Sequence, residues 1–101
     1  MQLLTHAQFA GCLNETFVAE LNEGSINFQL VETQLVETRQ AQNSSREASR
    51  EPFSLLFLNT APVLFPQQIY RMRHPRLGEV GIFMVPIAQS RDGFIYQAIF
   101  N

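Results

Sequence analysis

The chain from residue 52 to residue 101 consists almost wholly of apolar, strand-like runs separated by turns. Phe53 to Leu58 is apolar on both faces apart from Ser54, which predicts a central strand, whereas Gln67 to His74 alternates in the manner of a half-exposed strand. This half is also rich in β-branched and aromatic residues, which favour strands. It predicts four strands, at Phe53 to Leu58, Gln67 to His74, Glu79 to Ile87 and Phe94 to Phe100. The Asp92-Gly93 pair before the last of them favours a hairpin turn.

The first half of the chain begins with a short helical signal and continues with two strands. Thr5 and Gln8 have the spacing of a capping box, which predicts a helix over residues 6 to 12. From Thr16 to Leu21 the residues alternate in the manner of a strand. Asn22 to Ser25 then has the composition of a hairpin turn, so we expect a second strand directly after it.

The second strand contains a repeat that does not match a regular strand. Residues 29 to 38 consist of the sequence Gln-Leu-Val-Glu-Thr written twice. Because five is an odd number, Leu30 and Leu35 point to opposite faces of a regular strand. We therefore predict a β-bulge near Val31 to Thr33, which resets the alternation and helps a sheet to close. The alternative is an amphipathic helix over residues 28 to 42, since Gln, Glu, Leu and Arg are good helix formers.

Residues 39 to 51 are polar, with alanine as their one apolar residue type. This composition is typical of a solvated, flexible loop. The length of the chain allows one hydrophobic core. We therefore predict a single, mainly β domain over residues 1 to 101, a six-stranded antiparallel barrel or sandwich with one short N-terminal helix.

Charge and hydropathy exclude some classes of partner. The chain has 101 residues and a formal net charge of −2, and all seven basic residues are Arg. They are spread over three regions, so we expect no nucleic-acid partner. No apolar run approaches the length of a membrane helix, and the first residues lack the features of a signal peptide. We expect no membrane partner and synthesis in the cytoplasm, with incorporation into an exported or virion-like assembly as a further expectation.

Several short motifs follow one another in a characteristic order. They are Phe53 to Phe57, Gln67 or Gln68 before Tyr70, Leu77-Gly78-Glu79, Phe83 to Pro86, and Tyr96 to Asn101. In this order and spacing, the chain resembles a bacterial family of small domains of unknown function. Residues 58 to 62 depart from the resemblance, because they are longer and more apolar than the Gly-containing turn of the family.

The resemblance implies a role in assembly and carries no catalytic residue over to this chain. Members of the family resemble accessory proteins found alongside tail-collar-type, phage-tail-like proteins. That association implies a non-enzymatic structural or protein-binding module, whose partner is a second copy or another component of the assembly. The nine Phe residues favour an alternative, a small-ligand carrier with an apolar cavity inside a barrel.

One stretch concentrates cationic and reactive side chains. It consists of Tyr70, Arg71, Arg73, His74 and Arg76. Arg71 and Arg73 project from one strand face about 7 Å apart, a spacing that suits a carboxylate or a phosphate. We predict a binding site here, against the alternative of a solvated face opposite a core stripe of Tyr70 and Met72.

Catalytic and metal sites are not indicated. His6, His74 and Cys12 are scattered along the chain and lack the paired spacing of zinc ligands. Cys12 has apolar neighbours, which favour a buried and inert thiol. A serine triad would need Asp92, the one Asp of the chain, and no Gly-x-Ser-x-Gly elbow accompanies it. We therefore predict no catalytic residue, no metal and no cofactor.

The last predicted strand carries no charge. An uncovered strand of this composition would aggregate along its edge. We therefore predict that the strand is paired and buried, and that contact with a partner or another copy lies close to it. The residues predicted for this interface are Phe94, Tyr96, Ile99 and Phe100.

Overall fold

The computed structural model describes residues 4–21, 24–35 and 52–100. Along these residues there are one helix and six strands. They are α1 (His6–Ala10), β1 (Thr16–Leu21), β2 (Gly24–Leu35), β3 (Phe53–Asn59), β4 (Gln68–His74), β5 (Gly78–Ser90) and β6 (Gly93–Phe100). The predicted fold class is confirmed, because the protein is mainly β, with antiparallel strands and one short N-terminal helix.

The six strands close into a barrel. Their order around it is β1-β2-β3-β6-β5-β4. The ring closes where β1 pairs with β4, at Val18 opposite Arg73 and Ala19 opposite Met72. All pairs of neighbours are antiparallel, and β6 lies between β3 and β5. The prediction of a paired last strand is therefore confirmed, and both of its neighbours belong to the same chain.

The repeat in β2 is accommodated by a bulge. The pairing of β2 with β3 shifts register between Leu30 and Glu32, as the odd-numbered repeat predicts. The helix considered over residues 28 to 42 is wrong for the described part, since Gly24–Leu35 is a strand. The solvated loop predicted at residues 39 to 51 lies outside the described residues.

Helix α1 covers one end of the barrel. Its capping box forms, with the Gln8 backbone N–H donating to Thr5 Oγ1 and the Thr5 backbone N–H donating to Gln8 Oε1. Phe9 is fully buried, and its ring centroid lies 5.8 Å from that of Phe53 and 5.4 Å from that of Phe100. The helix ends at Ala10, two residues before the predicted end, with Gly11 as its C-cap.

The inside of the barrel is filled by side chains. The ring centroid of Phe28 lies 5.5 Å from that of Tyr70 and 5.3 Å from that of Tyr96, while Phe17 and Phe57 meet at 5.5 Å. Burial of one such side chain favours folding by roughly 1.5–3 kcal/mol. Because even an eight-stranded barrel is only just wide enough to be filled by side chains, six strands leave still less room. Aromatic side chains therefore occupy the space in which a small-ligand carrier would need a cavity.

Candidate functional site

Four polar side chains meet at the end of the barrel next to α1. Cys12 and Glu15 lie in the connection between α1 and β1, His74 is the last residue of β4, and Arg76 lies in the turn between β4 and β5. We call this group the polar clasp. The backbone places Glu15 here, because Asn14 N–H donates to the Leu30 carbonyl and Leu30 N–H donates to the Glu15 carbonyl. These two hydrogen bonds fix the connection between α1 and β1 against Leu30 of β2.

His74 is held at both ring nitrogens. Its Nδ1 lies 3.1 Å from the backbone nitrogen of Arg76 and 3.4 Å from that of Leu77, which donate to it. A ring nitrogen that accepts hydrogen bonds carries no proton, so Nε2 is the one that donates to Glu15 Oε1, at 2.8 Å. The ring is 4% exposed and lies against Phe17, with the centroids 4.6 Å apart. His74 therefore has no unused nitrogen with which to act as a base.

Arg76 connects the other members of the clasp. Its Nη2 donates to Glu15 Oε1 at 2.9 Å, to the Gly11 carbonyl at 3.0 Å and to Cys12 Sγ at 3.5 Å. The hydrogen bond from His74, and then those from Arg76, lower the pKa of the Glu15 carboxyl. The same hydrogen bond from Arg76 to Glu15 raises the pKa of the guanidinium. Both groups are therefore charged at neutral pH.

Cys12 is a buried thiol. It is 1% exposed, and its Sγ lies 3.5 Å from the Gln8 carbonyl, to which it donates. Burial raises the pKa of the thiol, and this outweighs the opposite effect of the Arg76 charge. The protonated thiol is the unreactive form, so Cys12 is poorly suited to act as a nucleophile.

The clasp contains three side chains of metal-ligand type, but their arrangement does not suit a metal ion. The ligand atoms of Cys12, Glu15 and His74 lie within 4.8 Å of one another, and His6, which sequence reasoning considered, is not among them. A histidine bound to a metal through one nitrogen normally donates from the other. Here Nδ1 of His74 accepts instead, and the Arg76 guanidinium already supplies a cation to Glu15 and Cys12.

A second feature lies on the outside of the barrel. The outward side chains of β3, β6, β5 and the start of β4 are largely apolar, and we call this set, which extends halfway around the barrel, the apolar outer face. It consists of Leu56, Leu58, Ile69, Phe83, Val85, Ile87, Ile95 and Ile99. Among them, Ile69 is 67% exposed, Phe83 48% and Ile99 57%. Contiguous exposed apolar surface of this kind is uncommon unless something binds it.

Two of the most exposed side chains of this face are cross-strand neighbours. Ile69 on β4 is paired with Phe83 on β5. On the other side of β5, the pairing with β6 begins at Val85 opposite Gln97 and does not include Phe83. Ile69 and Phe83 are therefore cross-strand neighbours, whereas Ile99 is paired with Ser54 of β3. Within the described residues this part of the face holds no charged side chain.

One of three comparisons with known proteins found a match. A family model described as a domain of unknown function, DUF6916, matches residues 4–100. The chain belongs to this family. No curated protein and no solved structure matches it. Along the described parts of this DUF6916 chain, no helix is both long enough and apolar enough to cross a membrane.

The five residues of the predicted binding site point in different directions in the folded protein. Tyr70 and His74 point into the barrel, where the Tyr70 hydroxyl donates to the Pro66 carbonyl and burial raises its pKa. Arg73 is outside and forms an ion pair with Glu20. Arg71 is exposed, and no ion pair is found for it within residues 4–21, 24–35 and 52–100. Arg76 belongs to the clasp, so the five residues do not form one site.

The predicted interface set is divided in the same way. Tyr96 is fully buried, and its hydroxyl accepts a hydrogen bond from the Phe65 backbone N–H at 2.9 Å. Phe100 stacks on Phe53 with a centroid distance of 4.8 Å, and Phe94 packs against the core. Ile99 alone of the four is an exposed, outward side chain. Sequence reasoning missed Ile69 and Phe83, although their alternation with buried neighbours was visible.

Proposed function

We propose that this DUF6916 domain is a non-enzymatic protein-binding module and that the apolar outer face is its contact surface. The observation that carries the proposal is the exposure of Ile69, Phe83 and Ile99 on the outside of the barrel. Protein interfaces have cores that are depleted in charge and enriched in aromatic residues, with a polar rim around them. Phe83 supplies an aromatic residue to this face, and Arg71, two residues along β4 from Ile69, is a charged residue beside it.

The state of the polar clasp supports a non-enzymatic role. A catalytic group needs a free lone pair or an available proton at the position of the substrate. In the clasp, both His74 nitrogens are used within the protein, and Glu15 is held by His74 and Arg76. The clasp therefore connects the end of α1 and the residues after it to the turn between β4 and β5. Its polar groups form hydrogen bonds that serve this structural role.

The resemblance to accessory proteins found alongside tail-collar-type proteins supports a place in a larger assembly. In this proposal the domain is bacterial, is made in the cytoplasm and becomes part of a phage-tail-like or exported structure through its outer face. A small all-β domain with a rigid, filled interior suits such a role, because its surface changes little when it binds. The alternative of a small-ligand carrier has no comparable support, since aromatic rings fill the barrel.

The test is a comparison of captured partners for variants of the outer face. The tagged full chain, F83R and T16R would each be used to capture proteins from the organism that carries the chain, with quantification by mass spectrometry. Thr16 is an exposed residue of β1, on the opposite side of the barrel from β6, so T16R adds the same charge elsewhere. Circular dichroism would verify that the three proteins are folded alike.

The expected result is a defined set of proteins, the untagged chain included, that the wild type and T16R retain and F83R loses. Loss through F83R alone would link binding to the apolar outer face. If all three baits retain the same proteins, or if none retains any, the proposal is wrong.

A further inference from the structure

We infer that the domain has a second binding site at the end of the barrel opposite the polar clasp, where the edge of β2 takes up an extended, uncharged peptide segment as an additional strand. The inference goes beyond the proposed function and does not depend on the apolar outer face. It is carried by main-chain groups of Ser25 and Asn27 that face a cleft and that no described strand pairs with.

The start of β2 has a described strand partner on one side. Residues 24–29 are paired with β1 throughout. On the other side, the pairing with β3 begins at Gln29 and does not include residues 25–27. Strand β3 continues to Asn59, where it is paired with β6. The strands β2 and β3 therefore diverge at this end of the barrel and leave one edge of β2 open.

The open edge carries main-chain donors and acceptors. The Asn27 carbonyl accepts a hydrogen bond of 2.8 Å from Asn59 Nδ2, so it points towards β3. In an antiparallel sheet, the N–H and C=O groups of one residue point to the same side, and those of the residue two positions away do so as well. The N–H of Asn27 and both main-chain groups of Ser25 therefore face the open side. Within the described residues, no hydrogen bond is found for them there.

A cleft of about 260 Å³ gives access to this edge. It is lined by Ser25, Ile26, Asn27, Asn59, Thr60, Ala61 and Phe65. The edge of β2 forms one wall, and the chain that follows β3 forms the other.

Hydrogen bonds hold the second wall of the cleft in place. The side-chain oxygen of Asn59 accepts from the Ala61 N–H at 3.0 Å, and the Phe65 N–H donates to the hydroxyl of the buried Tyr96 at 2.9 Å. The cleft is therefore formed in the free protein. Binding to a preformed site avoids the cost of ordering the loop.

The lining favours the main chain of an uncharged, extended peptide. None of the described lining residues is charged, so the cleft offers no counter-charge to an ionic ligand. The groups of Ser25 and Asn27 recur every second residue, about 7 Å apart, which is the spacing at which an extended peptide presents its own N–H and C=O groups. Addition of a strand to a sheet edge obtains its affinity from such main-chain hydrogen bonds. Ala61 and Phe65 offer apolar contact to one side chain of the peptide.

A pair of substitutions at one position tests the role of the main chain. A phage-displayed library of random linear heptapeptides would be selected on the full chain, and the selected peptides would be synthesised with capped ends. N27P removes the N–H from the open edge, and proline is tolerated on an edge that lacks a partner strand. N27A is the matched control, because it removes the side chain and keeps the N–H. F83R separates this site from the apolar outer face.

We expect selected peptides that bind N27A and F83R as tightly as the wild type, and N27P at least about tenfold more weakly, because N27P loses a hydrogen bond and blocks the approach of the peptide. Fluorescence polarisation measures the affinities, and circular dichroism verifies the fold. If the library yields no binder, or if every selected peptide binds a folded N27P as tightly as the wild type, the inference is overturned.

Methylation of the peptide nitrogens provides a second measurement that does not require N27P to fold. In an added strand, every second N–H of the peptide points towards β2 and the others point away. Methylation at alternate positions should therefore weaken binding to the wild type by about tenfold, and methylation at the positions between them should have little effect. A loss that shows no such alternation would overturn the inference, whereas the proposed function of the outer face would be unaffected.

Discussion

The polar clasp and the apolar outer face differ in how fully their side chains are satisfied. In the clasp, the side chains that could act as acids, bases or ligands form hydrogen bonds within the protein. Both ring nitrogens of His74, for example, have partners in the same chain. On the outer face, apolar side chains leave much of their surface in contact with water, and Phe83 is 48% exposed. Our proposal therefore places binding at the exposed apolar surface and not at the reactive groups.

The comparison also separates two uses of the same residue type. Phe57 and Phe83 are both phenylalanines in strands, one facing the interior and the other facing outwards. The first stabilises the fold, and the second is available to a partner. If this distinction is correct, substitutions at the two positions should affect different properties of the protein.

The largest effect on stability is expected inside the barrel. F57A should lower the free energy of unfolding by about 3–5 kcal/mol, because it removes buried surface and leaves a cavity beside Phe17 and Phe28. F83A, its matched control, should change stability by less than about 1 kcal/mol. Urea denaturation followed by circular dichroism measures both. Equal losses would remove the distinction between interior and outer face.

An intermediate effect is expected when the clasp loses its hydrogen bonds and keeps its ring. H74F retains an aromatic ring against Phe17 but leaves the backbone N–H groups of Arg76 and Leu77 without their acceptor. We expect a loss of about 1–3 kcal/mol in urea denaturation. A variant as stable as the wild type would show that the clasp contributes packing alone.

A pH-dependent effect is expected at Glu15. Its pKa is lower in the folded than in the unfolded protein, so its contribution to stability is present above the unfolded value, about pH 4.3. The contribution is lost as pH falls through the folded value. E15Q should therefore be less stable than the wild type near neutral pH, and the difference should shrink on acidification below about pH 4.3. Urea midpoints over a pH series test this, and a constant difference would contradict it.

The smallest perturbation uses the native thiol as a probe. Because Cys12 is buried and its pKa is raised, a thiol reagent should label the folded protein at least about a hundredfold more slowly than the unfolded protein in urea. R76A removes a donor to Sγ and opens the clasp, so it should label faster than the wild type. Rapid labelling of the native wild type would mean that the clasp is open in solution.

The strands were predictable because their signals are local. The alternation in β4 and the Asp92-Gly93 turn each depend on a few neighbouring residues, and the odd-numbered repeat was sufficient to predict the bulge in β2. The order of strands was not predictable in this way. The pairing of β6 with β3 and of β1 with β4 joins segments that are far apart in sequence, and no local pattern specifies such partners.

The clasp and the face show what a sequence reveals about sites. Glu15 and His74 are 59 residues apart in sequence, and closure of the barrel brings them together. Local sequence patterns therefore could not predict the clasp. By contrast, the sequence was sufficient to predict which side chains of the last strand point outwards. Residues separated by two share a face, so Phe94, Tyr96 and Phe100 could not share a surface with Ile99 on a regular strand.

The central claim is that the apolar outer face, and not the clasp, mediates the association of this domain. Capture of proteins by the tagged wild type, F83R and T16R, with circular dichroism of the same samples, tests it most directly. We predict that the wild type and T16R retain a common set of proteins, whereas F83R is folded and does not retain them. Equal retention by all three, or retention by none, would contradict the account.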